Sequence, residues 1–273
     1  MAIIVPDITL NNGVLMPQLG FGVFQVPDAE TTAAVRTALD AGYRSIDTAA
    51  VYGNEGQVGA AIAESGVPRE QIFVTSKLWN NDHGYDKALQ AYDASLKRLK
   101  LDYLDLYLLH WPVAGLRLDS WRALEQLATD QRVRSIGVSN FMAVHLKELS
   151  KTAKVLPAVN QIELTPFLQR HETVTLCREL GITLEAYSPL TRGQRLDHAV
   201  VVELAARVDR SPAQVLLRWG IQSGFVILPK SVQSARIQEN AALFDFELDA
   251  DAMQRLDALE EGLVTGWNPQ DQA

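Results

Sequence analysis

The chain has 273 residues, of which 47% are hydrophobic and 21% charged, with a formal net charge of -8. That is ordinary globular composition with length for a substantial core. An acidic surface attracts neither nucleic acid nor an anionic membrane, so neither is expected as a partner. A single cysteine, Cys177, rules out an internal disulfide and a multi-cysteine metal site. No metal is expected, and a reducing cytoplasm fits best.

The apolar Ala2-Ile3-Ile4-Val5 stops at Pro6 and lacks the length and basic start of a signal peptide. No apolar run approaches the roughly 18 residues that span a bilayer. Residues 8–16 read as a hairpin around Asn12-Gly13. Thereafter short apolar runs alternate with helical patterns. The predicted strands are 18–24, 44–48, 72–78, 104–110, 134–139, 158–164, 183–188 and 225–229. In residues 31–41, Val35, Ala38 and Leu39 follow helical spacing, and Gly42 is a natural stop. Ser211-Pro212-Ala213-Gln214 combines an N-cap serine, a first-turn proline and a capping-box glutamine. It launches a helix over 215–222 that Gly224 ends.

Runs such as Tyr107-Leu108-Leu109 are apolar on both faces and suit a parallel sheet covered by helices. Eight strand–helix alternations in about 250 residues are what a closed (β/α)8 barrel requires, here as one domain over residues 1–273. An open doubly wound sheet is the rival. It carries a Gly-rich turn after an early strand, and Gly20-Phe21-Gly22 is only a fragment of that pattern. The expected fold is therefore the α/β TIM barrel, with the hairpin plugging its bottom.

In a barrel the C-terminal strand ends converge on one face, where the loops build the active site. Asp47, Lys77, His110, Asn140, Gln161, Tyr187 and Lys230 each lie at or just past such an end. Singly, each has a bland explanation: a helix cap, a solvated charge, a satisfied core histidine. Their recurrence strand after strand favours a site. With Tyr52, which follows Asp47 by five residues, an acid, a phenol, an amine and an imidazole supply the parts for proton transfer. Lys230 and Arg236 flank a strand-to-helix turn, a local positive cluster suited to a phosphate.

These residues resemble a known family. Residues 42–55, residues 106–112 with Gly137-Val138-Ser139-Asn140-Phe141, and Ile227-Leu228-Pro229-Lys230-Ser231 look like the successive signatures of the aldo-keto reductases. The resemblance runs from about residue 6 to residue 262 in the family's order and spacing. Short loops and Asn160-Gln161-Ile162-Glu163 resemble the prokaryotic 2,5-diketo-D-gluconate reductase and prostaglandin F synthase-like group.

The resemblance implies NADPH-dependent reduction of aldehydes, ketones or α-dicarbonyls, keto-sugar acids among them, with Asp47, Tyr52, Lys77 and His110 as catalytic tetrad. Tyr52 would be the general acid, Lys77 would lower its pKa from the usual ~10, Asp47 would hold Lys77, and His110 would orient the carbonyl oxygen. For NADP(H), it implies Ser139, Asn140 and Gln161 at the nicotinamide carboxamide and the Tyr187 ring against the nicotinamide, with Gly22, Val23 and Asp47 also lining the cofactor. Ser188, Leu190, Arg192 and Gly193 would cover the pyrophosphate. Lys230, Ser231, Val232, Arg236, Glu239 and Asn240 would take the 2′-phosphate and adenine, favouring NADPH over NADH. Phe24, Trp79, Trp111 and His110 would wall the substrate pocket, with Trp267 in a C-terminal loop over it. Family habit implies a monomer. Two other functions compete: a nucleotide-binding regulatory module on the same fold, and a Schiff-base aldolase using Lys77.

Overall fold

Two short strands, β1 (Asp7–Thr9) and β2 (Leu15–Pro17), pair antiparallel with Ile8 opposite Met16. They form the expected hairpin in the computed structural model, which describes residues 3–269. A second sheet holds eight parallel strands: β3 (Phe21–Gly22), β4 (Ser45–Asp47), β5 (Phe73–Leu78), β6 (Leu104–Leu109), β7 (Val133–Ser139), β8 (Val159–Glu163), β9 (Thr183–Tyr187) and β10 (Val226–Leu228). Neighbours in the sheet are neighbours in sequence. The ends meet through a parallel bridge between Leu19 and Ile227, flanked by bonds from Gly20 N to Ile227 O and from Gly22 N to Pro229 O. The sheet is thus a (β/α)8 barrel.

The helices fall between and after the strands: α1 (Asp28–Ala41), α2 (Glu55–Glu64), α3 (Tyr85–Leu99), α4 (Arg117–Thr129), α5 (Ala143–Leu149), α6 (His171–Glu179), α7 (Ala199–Arg207), α8 (Pro212–Gln222), α9 (Ser234–Glu239) and α10 (Ala250–Asp257). Two follow local signals closely. α1 ends at Gly42, whose φ of 104° is open to glycine and costly for other residues. At α8, Ser211 Oγ accepts from Gln214 N at 3.2 Å and Gln214 Oε1 accepts from Ser211 N at 3.1 Å, which completes the capping box.

The element bounds differ in instructive ways. α1 starts at Asp28 rather than residue 31, because Pro27 O accepts from both Glu30 N and Thr31 N and opens the helix a turn early. The first barrel strand shrinks to Phe21–Gly22. Upstream, Gln18 N bonds back to Pro6 O while Gln18 O accepts from Ile227 N, so the backbone is shared between hairpin and barrel. Most other strands stop a residue short where the chain turns into a loop, as at Ser188 with φ of 48°.

Strand alternation decides what faces the lumen. Phe73, Leu106, Leu108, Val159 and Val226 fill its lower part and pack on Leu10 and Met16 of the hairpin. Asn11 Nδ2 donates to Pro157 O at 2.9 Å, and Asn12 Nδ2 to Arg134 O at 3.0 Å, which anchors the plug. Tyr107 and Leu109 point the other way and join the helices in the outer core. Above the apolar layer the lumen turns polar, with Asp47, Lys77, Gln161 and Glu185 all buried.

Candidate active site

Tyr52 is placed by a single 3-10 turn, Ala50–Tyr52, closed by Gly53 at φ 76°. Asn54, fully buried, fixes this loop by donating to Val23 O at 3.0 Å and accepting from Thr48 Oγ1 at 3.0 Å. The phenol is thereby returned over the end of β4. From β5 the fully buried Lys77 reaches up the lumen, and its Nζ donates to Asp47 Oδ1 at 2.7 Å, Asp47 Oδ2 at 2.8 Å, Thr48 O at 3.0 Å and Tyr52 Oη at 3.4 Å. The His110 ring stands edge-on to Tyr52 with centroids 5.6 Å apart. Asp47, Lys77 and His110 from strand ends and Tyr52 from the turn after β4 do converge.

The charges in this cluster are set by burial and by one another. Burial alone would strip Lys77 of its proton, but Asp47, with Tyr52 and Glu185 adding to it, offsets this and lifts its pKa above the usual lysine value. Tyr52 departs from expectation. Burial raises its phenol above the usual ~10, and the opposing pull of Lys77 does not reverse it. A general acid must carry its proton before reaction, so this state suits the role. In that role Lys77 would act on the phenolate that remains afterwards. Burial, then Lys77 and His83, push His110 well below the usual histidine range, so its imidazole is neutral.

The predicted carboxamide residues lie beside this cluster. Ser139 Oγ donates to Gln161 O at 2.9 Å, and Asn140 Nδ2 donates to His110 O at 3.0 Å and to Ser139 Oγ at 3.2 Å. Tyr187 Oη donates to Asn140 Oδ1 at 2.8 Å. Asn140 itself takes a left-handed φ of 63°. Gln161 Nε2 donates to Asp47 Oδ2 at 2.9 Å and to Glu185 Oε2 at 2.7 Å. A second lone pair on Asn140 Oδ1 and the Gln161 Oε1 acceptor remain open to a bound amide N–H.

Other predicted residues occupy the rim. Val23 N donates to Asp47 O, and Gly22 N to Pro229 O, which ties the first barrel strand to both neighbours. Ser188 and Arg192 have φ of 48° and 51°, and the turn closes by Gly193 N donating to Leu190 O. Lys230, Val232 and Arg236 are exposed, and neither basic residue enters an ion pair among the described residues. Ser231 Oγ accepts from Gln233 N at 3.1 Å. Glu239 ends α9 and the buried Asn240 caps it. With only six residues, α9 offers a weak dipole, so positive charge here rests on the side chains.

The aromatic residues form two groups. Phe24 packs on Tyr52 at 5.0 Å and Trp79 on His110 at 5.3 Å. Trp111 meets Trp267 at 6.1 Å, although Trp267 is 69% exposed. The tail that carries Trp267 is fastened by Thr265, whose N and Oγ1 both donate to buried Glu163 Oε1. A partner for the tail was not foreseen from the sequence.

A profile of the Aldo/keto reductase family matches residues 18–261. The chain belongs to this family. It is 52% identical over 263 residues to a glyoxal reductase of Bacillus subtilis, covering 96% of this chain and 95% of that one. It is 48% identical over 266 residues to a 9,11-endoperoxide prostaglandin H2 reductase of Trypanosoma cruzi, covering 96% and 94%. A Bombyx mori aldo-keto reductase solved in complex with NADP superposes with a TM-score of 0.92 at 38% identity, covering 97% and 95%. In this aldo-keto reductase the sequence reasoning missed Glu185. It shares the lumen-facing parity of Tyr187 in Thr183-Leu184-Glu185-Ala186-Tyr187, and that parity was the available signal. Attention to strand ends passed over it.

Proposed function

We propose that this aldo-keto reductase reduces carbonyl compounds to alcohols with Tyr52 as proton donor. It is an NADP-dependent oxidoreductase acting on aldehydes and ketones, and small aldehydes and α-dicarbonyls, with keto-sugar acids, are the substrates to try first. The observation that carries the assignment is the buried Lys77 Nζ, bonded at 2.7 Å to Asp47 and at 3.4 Å to Tyr52. NADPH supplies the hydride when bound.

The residues present fit that cofactor. The open acceptors on Gln161 and Asn140 match a carboxamide amino group, and the Ser139 hydroxyl, now donating to Gln161 O, can rotate to face its oxygen. Tyr187 offers a ring braced through its hydroxyl. Lys230 and Arg236, in no ion pair among the described residues, suit the phosphate that distinguishes NADPH, with Ser231, Val232, Glu239 and Asn240 around them. Ser188, Leu190, Arg192 and Gly193 form the covering turn.

The protein's own part in the reaction follows from the charges. Phe24, Trp79 and Trp111 with the Trp267 tail bound an apolar mouth in which a carbonyl sheds water. Neutral His110 donates a hydrogen bond to the carbonyl oxygen and orients it toward Tyr52. Tyr52 gives its proton to that oxygen as negative charge develops there. The phenolate left behind is stabilised by Lys77, which Asp47 keeps in place and charged. A Schiff-base aldolase would need Lys77 as a neutral nucleophile, and its raised pKa argues against that chemistry.

The test is NADPH oxidation with a small aldehyde or an α-dicarbonyl. Tyr52→Phe is expected to lower kcat by about 10²–10⁴-fold while still binding NADPH. Wild-type turnover in that variant would remove Tyr52 as the acid.

A further inference from the structure

Glu185 is the middle residue of β9 and is 0% exposed, inside the lumen. One of its oxygens, Oε2, accepts from Gln161 Nε2 at 2.7 Å, while Oε1 has no partner among the described residues. The same Gln161 nitrogen donates to Asp47 Oδ2 at 2.9 Å. Both N–H bonds of the amide are therefore committed to carboxyl groups, one on each side. Flipping the amide would set its oxygen against Asp47, at an electrostatic cost. The Gln161 oxygen is thus turned away from both acids.

A leucine or methionine would fill this part of the lumen without the cost of burying a carboxyl group. Packing alone does not account for an acid held by one hydrogen bond. We propose that Glu185 is a positioning residue of the reduction site, holding one N–H of Gln161 while Asp47 holds the other, so that the Gln161 oxygen is locked toward the carboxamide of the cofactor. This role rests on Gln161 meeting the nicotinamide carboxamide, as proposed above.

The arrangement carries a pH dependence. Burial, then Asp47, push Glu185 up to about 8, so at neutral pH it is a protonated acid. The ionisable groups that act on it are Asp47 from β4 and Lys77 from β5, and it acts in turn on Tyr52 from the turn after β4. Gln161 on β8 supplies its hydrogen bond. Above about pH 8 its carboxylate adds negative charge beside Asp47. That raises the Tyr52 pKa further and opposes proton delivery.

The experiment measures the NADPH dissociation constant of the full-length protein by tryptophan fluorescence, with kcat against pH, in E185L, E185Q and Q161A. E185L is expected to weaken NADPH binding by about tenfold, because it frees the Gln161 amide. E185Q, whose side-chain oxygen can accept the same N–H, is expected to restore most of that affinity and to lose the decline in kcat above about pH 8. Parent affinity in E185L alongside weakened binding in Q161A would overturn the role of Glu185 alone. Parent affinity in Q161A would instead overturn the cofactor assignment of Gln161, and the role of Glu185 with it. If E185L does not fold, E185Q decides: an alkaline decline unchanged from the parent overturns the proposal.

Discussion

Lys77 shows how a buried charge is kept at the scale of one residue. Its ammonium loses all contact with water, and isolated burial of that kind costs several kcal/mol. Two bonds to Asp47, one to Thr48 O and one to Tyr52 offset the loss. The pair is safe only while both partners remain. Lys77→Met is therefore expected to lower stability by about 3–5 kcal/mol, since Asp47 is left buried without its counter-charge. The double variant Lys77→Met/Asp47→Asn should regain most of that loss and stay inactive. Urea denaturation of these two variants, of Asp47→Asn and of the parent protein measures the coupling. Asp47, Lys77 and His110 were legible in the sequence because each is a polar residue at or just past a strand end, and the family resemblance joined Tyr52 to them. The net ionisation of Tyr52 was not, because burial outweighs Lys77 only once the lumen closes around both.

At the scale of elements, period-two alternation sorts side chains between lumen and helix layer. It places Glu185 level with Gln161, its register partner across β8 and β9. Helix packing obeys a tighter constraint. A Cβ on Gly59 in α2 would lie 2.0 Å from Leu99 O at the end of α3, and a backbone atom cannot rotate out of the way. Gly59→Ala is expected to cost about 1–3 kcal/mol by prising α2 from α3, read as a lower Tm. NADPH binding should persist in the folded fraction, because neither helix supplies a proposed cofactor contact. The closeness of these helices left no mark in the sequence beyond a glycine. The capping box at Ser211 and the stop at Gly42 could be read directly, since both depend on residues within a few positions.

Over the whole molecule, acid stability falls partly to His83. It is 2% exposed, with Nδ1 3.0 Å from Ser120 Oγ, and burial lowers its pKa to about 4. Between that value and the usual ~6.5 the unfolded chain binds a proton that the folded chain refuses. The contribution is complete above about pH 6.5 and is lost as pH falls toward 4, up to about 3 kcal/mol. His83→Asn is expected to narrow the drop in Tm between about pH 7.5 and pH 5, compared with the parent protein. An unchanged drop would assign the acid sensitivity to other groups.

The sequence by itself determined the barrel, the hairpin plug and the polar residues that gather at the strand ends. Strand–helix alternation and strand-end polarity are local patterns that repeat along the chain. Tertiary structure decided three further things: that the barrel closes through one Leu19–Ile227 bridge, that Glu163 fastens the tail at Thr265, and that Gln161 is held between Asp47 and Glu185. Each joins residues far apart in sequence, and their distances exist only once the eight strands curl into a ring. The proton balance of the site belongs to the same class, because it depends on water being excluded from the lumen as a whole.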